Sequence, residues 1–220
     1  AVQQFLMTGT SAVSRTTISG ELWTWGRGTE GNLGTGGTSH SRDTPVQVGS
    51  LTTWQNTISG YPEHTCVTVK SDGTLWGWGN NPNGEVGCGN TTQQNSPVQV
   101  GSDTDWAEAA TGGGHSLGIK TDGTLYGWGK NTYGAVGDGT NTNRSSPVQI
   151  GSDTDWLHAM TNGSWSSLAI KTTGAIYRWG RDETTDPNTP QQIGSATDWS
   201  DIFSAGSNSW SNVFEPICTG

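Results

Sequence analysis

One short pattern returns four times along this chain, and it constrains the fold more than any other feature. Tetrapeptides ending in Trp-Gly occur at Trp23-Thr24-Trp25-Gly26, Trp76-Gly77-Trp78-Gly79, Tyr126-Gly127-Trp128-Gly129 and Tyr177-Arg178-Trp179-Gly180, spaced 53, 50 and 51 residues apart. Each is preceded by a turn: Ser19-Gly20, Asp72-Gly73, Asp122-Gly123 and Thr173-Gly174. A Gly-rich loop follows the first three, as in Gly84-Glu85-Val86-Gly87 and Gly134-Ala135-Val136-Gly137. Then come Pro45-Val46-Gln47-Val48-Gly49, Pro97-Val98-Gln99-Val100-Gly101 and Pro147-Val148-Gln149-Ile150-Gly151. The fourth copy, Pro190-Gln191-Gln192-Ile193-Gly194, arrives early because its loop is shortened. A repeat of this length cannot bury its apolar face alone, so neighbouring copies must stack.

Four short strands are expected per unit. The first follows the Asp-Trp pair, as in Trp106 to Thr111. The second is His115 to Lys120, where Leu117 and Ile119 alternate. An Asp-Gly turn between alternating runs is a hairpin signal and leads to the third, Thr124 to Gly129. The fourth is Pro147 to Ile150, because Pro suits a strand start or an edge. Four strands in 40–50 residues describe a propeller blade. Composition agrees with an all-β chain: 34 Gly, 12 Trp, no heptads and no run of apolar residues long enough for a membrane span. The 12 Trp argue against disorder. A net charge of -9, with Lys only at Lys70, Lys120, Lys130 and Lys171, argues against a nucleic-acid partner. Cys66, Cys88 and Cys218 are too few and too irregular for a disulfide framework or a zinc site. The opening residues, Ala1-Val2-Gln3-Gln4, show no signal peptide, as a processed or truncated chain would also not.

From Gly112 to Gly139 the run Gly-x-x-His-Ser-Leu-x-Ile-Lys-Thr-Asp-Gly-x-Leu-Tyr-x-Trp-Gly-x-Asn-x-x-Gly-x-x-Gly-x-Gly resembles the repeat of the regulator of chromosome condensation 1 (RCC1) family, and Pro62 to Gly89 is nearly as close. The resemblance covers essentially the whole chain. It implies a β-propeller, usually seven-bladed, of the bacterial or phage type. It does not fix function: the family includes a nucleotide-exchange factor for a small GTPase, ubiquitin-ligase modules, a secreted β-lactamase inhibitor and many uncharacterised bacterial and phage proteins.

Aligned on the repeat, the chain divides into units 1–53, 54–105, 106–155 and 156–198 and a half unit 199–220. The expected fold is therefore an RCC1-like propeller of about four and a half four-stranded blades. A seven-bladed ring would need on the order of 350 residues. Three readings stand: a segment of a longer protein, several chains completing a ring or stack, or a smaller closed propeller. An open half blade invites association, because unpaired strand edges template further pairing.

The Trp residues at the positions of Trp25, Trp78, Trp128 and Trp179, and of Trp54, Trp106, Trp156 and Trp199, recur in phase and are expected to pack between blades. Trp165 and Trp210 break the phase. Trp165, placed where other units have Gly114 or Glu63, is a surface-contact candidate, and so are Trp210 and Tyr133. His64 and His115 sit at equivalent places before the second strand, with Ser11 and Ser166 at that place elsewhere, and a structural hydrogen bond is expected of them rather than a metal or acid–base role. Asp103, Asp105, Asp153, Asp155 and Asp198, and the run Asp138 to Asn143, resemble calcium ligands only superficially, because no full loop with a closing Glu is present. Cys66 is read as replacing the core Leu117, and Cys88 as replacing Asp138. No phosphate loop and no nucleophile elbow occur. The resulting expectation is a non-enzymatic interaction or structural module with no cofactor and no metal. It would bind a protein or itself through open blade edges, in an extracellular, cell-surface or virion setting, with a cytoplasmic one still open. The alternatives are a carbohydrate-binding propeller using Trp165, Trp210 or Tyr133, and nucleotide exchange on a small GTPase.

Overall fold

Tight hairpins set the blades. In the computed structural model, which describes residues 19–38, 41–55, 59–60, 64–163, 165–182, 185–200 and 202, Asp122 Oδ1 accepts from the backbone N–H and the hydroxyl of Thr124 at 3.0 and 2.6 Å. Asp72 does the same for Thr74. Gly123 takes φ of +78°, and a Cβ there would lie 2.1 Å from the Thr154 carbonyl oxygen. Only glycine satisfies both conditions.

Among the described residues the chain is all strand and loop, without helix. The first unit contributes β1 (Ser19–Gly20), β2 (Trp23–Arg27) and β3 (Ser41–Gln47). The second contributes β4 (Trp54–Gln55), β5 (Ser59–Gly60), β6 (Thr65–Val69), β7 (Leu75–Gly79) and β8 (Gln94–Gln99). Next come β9 (Trp106–Thr111), β10 (His115–Lys120), β11 (Leu125–Gly129) and β12 (Arg144–Gln149). The fourth unit holds β13 (Trp156–Asn162), β14 (Ser166–Lys171), β15 (Ile176–Gly180) and β16 (Gln191–Gln192). The third and fourth units are four-stranded antiparallel sheets in sequence order, and β6-β7-β8 has the same order. The fourth strand of the third unit starts at Arg144, earlier than Pro147 suggests. Pro147 sits inside this outer strand, where a missing N–H costs no ladder bond.

The hairpin register corrects two alignments. His115 faces Gly129, Ser166 faces Gly180, and Thr65 faces Gly79. His64 is thus one residue short of His115's position and stands in the place of Gly114 and Trp165. Cys66 is equivalent to Ser116, not to Leu117, whose place Val67 takes.

Successive blades are stapled at both ends. The backbone N–H of Trp106, Trp156 and Trp199 donates to the carbonyls of Gly73, Gly123 and Gly174 in the preceding blade. Gly20 and Trp54 pair in the same way. The first strands lie side by side, and β5 pairs with β9 in parallel. The core lies between blades rather than within one. Leu117, Ile119, Leu125 and Ile150 of the third unit pack on Trp156, Ala159, Ala169 and Trp179 of the fourth. A sheet covered on both faces buries most of its apolar side chains, which is the main stabilising term.

Candidate functional site

Most polar side chains with a chemical look are occupied in holding blades together. Trp78, Trp128 and Trp179 are buried to 1% exposure or less. Their indole N–H groups donate to the carbonyls of Asn32, Glu85 and Ala135 in the preceding unit at 2.9, 2.8 and 2.8 Å. Ser116 and Ser167 hydroxyls donate to the same Glu85 and Ala135 carbonyls, and the Cys66 thiol reaches Asn32. Trp25, expected to be packed alike, is 49% exposed. The reason is that, among the described residues, no blade precedes β2.

Fully buried His115 places Nε2 2.7 Å from the Ser167 hydroxyl of the next blade, a structural bond of the kind expected. His64 Nδ1 meets the Glu30 carboxylate across a junction, and His158 does the same with Glu108 at 3.0 Å. The carboxylates that resemble calcium ligands face lysines instead. Asp103 and Asp105 hold Lys120, and Asp153 and Asp155 hold Lys171. Asp138 caps Thr140 and pairs with Arg144. The lysines lie over rings, Lys120 above Trp106 and Tyr126, Lys171 above Trp156 and Tyr177, and Lys70 3.5 Å from the Trp76 centroid.

Two of the three aromatic contact candidates come together. Tyr133 lies in the loop between β11 and β12, and Trp165 in the turn between β13 and β14. Their rings pack edge to face, with centroids 5.1 Å apart at 79°. Both are half-buried. Lys130 Nζ lies 4.2 Å from the Trp165 centroid and Arg181 Cζ 4.9 Å from that of Tyr133. Lys130 and Arg181 are equivalent residues of adjacent blades, each directly after the Trp-Gly that ends a third strand. Sequence reading missed them, although that recurrence was the available signal. The result is a corner of two rings and two cations at the junction of the third and fourth blades, on the end opposite the Asp-Gly hairpins. Rings so arranged hold the two cations over apolar surface and make the corner amphipathic. Trp210 lies outside the described residues, as do Ser11 and Cys218.

Comparison with known proteins agrees with this architecture. A family model for the regulator of chromosome condensation (RCC1) repeat matches residues 19–67, 72–119 and 122–170, more than half of the chain. The Arabidopsis thaliana ultraviolet-B receptor UVR8 is 38% identical over 104 residues, which are 46% of this chain and 23% of that protein. The human E3 ubiquitin-protein ligase HERC2 is 34% identical over 84 residues, 38% of this chain and 2% of that one. Human WBSCR16 superposes with a TM-score of 0.68 at 18% identity, over 80% of this chain and 48% of that one. Prp20p of Saccharomyces cerevisiae, studied for its binding to Gsp1p and histones, superposes with a TM-score of 0.67 at 22% identity, over 80% and 47%. The chain thus spans less than half the length of each of these proteins.

Proposed function

The chain belongs to the RCC1 repeat family, and on that premise we propose that it is a non-enzymatic interaction module whose blades supply rigidity and whose Tyr133–Trp165 corner contacts a protein partner. The observation that carries the reading is one departure from repetition. Where the second and third units have His64 and Gly114, the fourth has Trp165, and it packs edge to face on Tyr133, which replaces Asn83. A large side chain placed where the repeat does not require one is free to serve a surface. Lys130, beside the two rings, makes that surface suited to a partner presenting a carboxylate beside an apolar group. The repeated carboxylates, lysines and His115 are already engaged between blades, which favours binding over catalysis. An extracellular, cell-surface or virion setting is part of the proposal and rests on the low lysine content and the acidic, Gly-rich composition.

Affinity capture with the wild-type chain and with Trp165→Ala, compared by quantitative mass spectrometry, tests the reading. A protein depleted about tenfold or more by the substitution supports it, and identical captures overturn it. Carbohydrate binding is the weaker reading, because Lys130 and Arg181 already cover one face of each ring on which a sugar would stack. A glycan array showing binding that disappears in Trp165→Ala would reverse that order. Nucleotide exchange is weaker still in so acidic a chain, and a nucleotide-release assay decides it.

A further inference from the structure

Lys70 lacks the partners that its counterparts in the next two blades have. Lys120 Nζ lies 2.7 and 3.1 Å from Asp103 and Asp105, and Lys171 Nζ 2.6 and 2.9 Å from Asp153 and Asp155. The backbone fixes the equivalence. The Ser71 N–H donates to the Thr53 carbonyl as those of Thr121 and Thr172 donate to Asp105 and Asp155, each at 2.8 Å. Thr53 therefore stands where the sister blades place the second carboxylate, and Leu51 has the sequence position of the first. Among the described residues no carboxylate pairs with Lys70, and the sequence before Ser19 contains neither Asp nor Glu. Two indoles take over instead. Lys70 Nζ lies 3.5 Å from the Trp76 centroid and 4.8 Å from that of Trp54. The rings stand edge to face, 6.0 Å apart at 81°, and the Trp76 N–H donates to the Thr74 hydroxyl at 2.8 Å, which fixes that ring. The residue is 4% exposed, yet Nζ is not one of the side-chain atoms sealed from solvent without a partner. Asp72 in the adjoining turn is the charged group that acts on it, and burial outweighs Asp72, so the amine loses its proton more readily than an ordinary lysine.

We propose that Lys70 is a covalent capture site for aldehydes, its amine forming an imine against the Trp54 and Trp76 rings. The Nζ lone pair adds to the carbonyl carbon and a proton passes from nitrogen to oxygen. The carbinolamine then loses water as the C=N bond forms, and no oxidant or reductant is consumed. An amine held in desolvated, apolar surroundings is the usual setting for this chemistry. The same step at Lys120 or Lys171 first breaks two ion pairs, whereas at Lys70 it breaks none. The product stays against the two indoles, which shelter the C=N bond from hydrolysis. This inference rests on the hairpin end of the second blade and not on the Tyr133–Trp165 corner.

Propanal with cyanoborohydride, which traps an imine by reduction, is the test on the 220-residue chain at neutral pH. Peptide mapping by mass spectrometry gives the alkylation rate at Lys70, Lys120, Lys130 and Lys171 separately. In the native protein Lys70 should react about fivefold faster or more than Lys120 and Lys171, the order that two part-exposed ion pairs give. That preference should vanish in urea. Thr53→Asp restores one of the sister carboxylates and should slow Lys70 about threefold, with Lys130 as the unchanged reference and circular dichroism as the check on folding. The comparison among the wild-type lysines needs no variant and stands by itself. A native rate at Lys70 equal to or below those at Lys120 and Lys171, a preference that persists in urea, or a folded Thr53→Asp protein that reacts at Lys70 as fast as the wild type would each overturn the proposal.

Discussion

Glu85 carries more than its size suggests, through its carbonyl rather than its carboxylate. That oxygen accepts from the Ser116 hydroxyl at 2.9 Å and the Trp128 indole at 2.8 Å. Cys66 stands at the serine's place one blade earlier, 3.5 Å from the Asn32 carbonyl, and burial pushes its thiol up to about 12. The thiolate is the reactive form, so in a Cys218→Ser background Cys88 should react with a thiol reagent in the native protein. Cys66 should react only on unfolding. Cys66→Ser should change stability by no more than about 1 kcal/mol, because the hydroxyl makes the same bond in two sister blades. Gly87 is the opposite case. Its φ is +84°, and a Cβ would sit 2.7 Å from Trp128 Nε1. Gly87→Ala should cost about 2–4 kcal/mol in urea denaturation, backbone strain adding to overpacking. Gly101→Ala, at φ +65° with nothing within 4 Å, should show the backbone cost alone, about 1 kcal/mol. Trp at these positions was legible in sequence as recurrent packing. Which residue accepts the indole proton was not, since a backbone carbonyl leaves no mark on residue type. The same holds for Cys66, whose place a one-residue slip in alignment hid until the hairpin register fixed it.

Among the described residues β10 and β14 end in Lys120 and Lys171, and Lys70 follows β6 directly; the loop before each of these blades decides what its lysine meets. Burial works against the charge of Lys120, yet the hydrogen bonds it donates to Asp103 and Asp105 prevail and hold it above the usual 10.5. Lys171 behaves likewise with Asp153 and Asp155. The second unit has Leu51 and Thr53 at the sequence positions of those carboxylates, and burial holds Lys70 below 10.5 despite Asp72. A raised folded value means that the ion pairs stabilise fully below the unfolded value and lose their effect as pH climbs past the folded one. Lys120→Met should therefore cost about 1 kcal/mol at neutral pH, the pair being part-exposed. The gap to the wild type should shrink in alkaline melts above pH 10.5. Thr53→Asp gives Lys70 the carboxylate its sisters have and should raise stability by about 0.5–1 kcal/mol in the same assay. At acid pH the sign reverses. Asp72 and Asp122 are held below the usual carboxylate value chiefly by the Thr74 and Thr124 hydroxyls. Their stabilisation is present above pH 3.8 and lost as pH falls through the lowered values. Hairpins and strand order were readable from Asp-Gly turns and alternation. The lysine pairing was not, because acid and base lie on different blades, 17 and 15 residues apart for Asp103 and Asp105 against Lys120.

Across the whole molecule, stability should fall away from the middle of the blade row. The third blade is covered on both sides, with Leu117 and Leu125 fully buried, whereas the outer strands β8 and β12 have no fully buried residue and β16 is exposed. Native hydrogen exchange should be slowest in β10 and β11 and fastest in β16, and equal rates throughout would contradict this gradient. Propeller architecture was legible because one pattern recurs in phase. The Tyr133–Trp165 corner was half legible: both aromatics stood out from the repeat, but only the fold brought them to 5.1 Å and put Lys130 and Arg181 upon them. One consequence lies in the order of the junction bonds. Every indole that locks a blade finds its acceptor earlier in the chain, by 46, 43 and 44 residues. A chain leaving the ribosome therefore meets each completed acceptor loop before the tryptophan that needs it has been made. Such a chain is able to wind up blade by blade in the order of its own translation, without waiting for its far end.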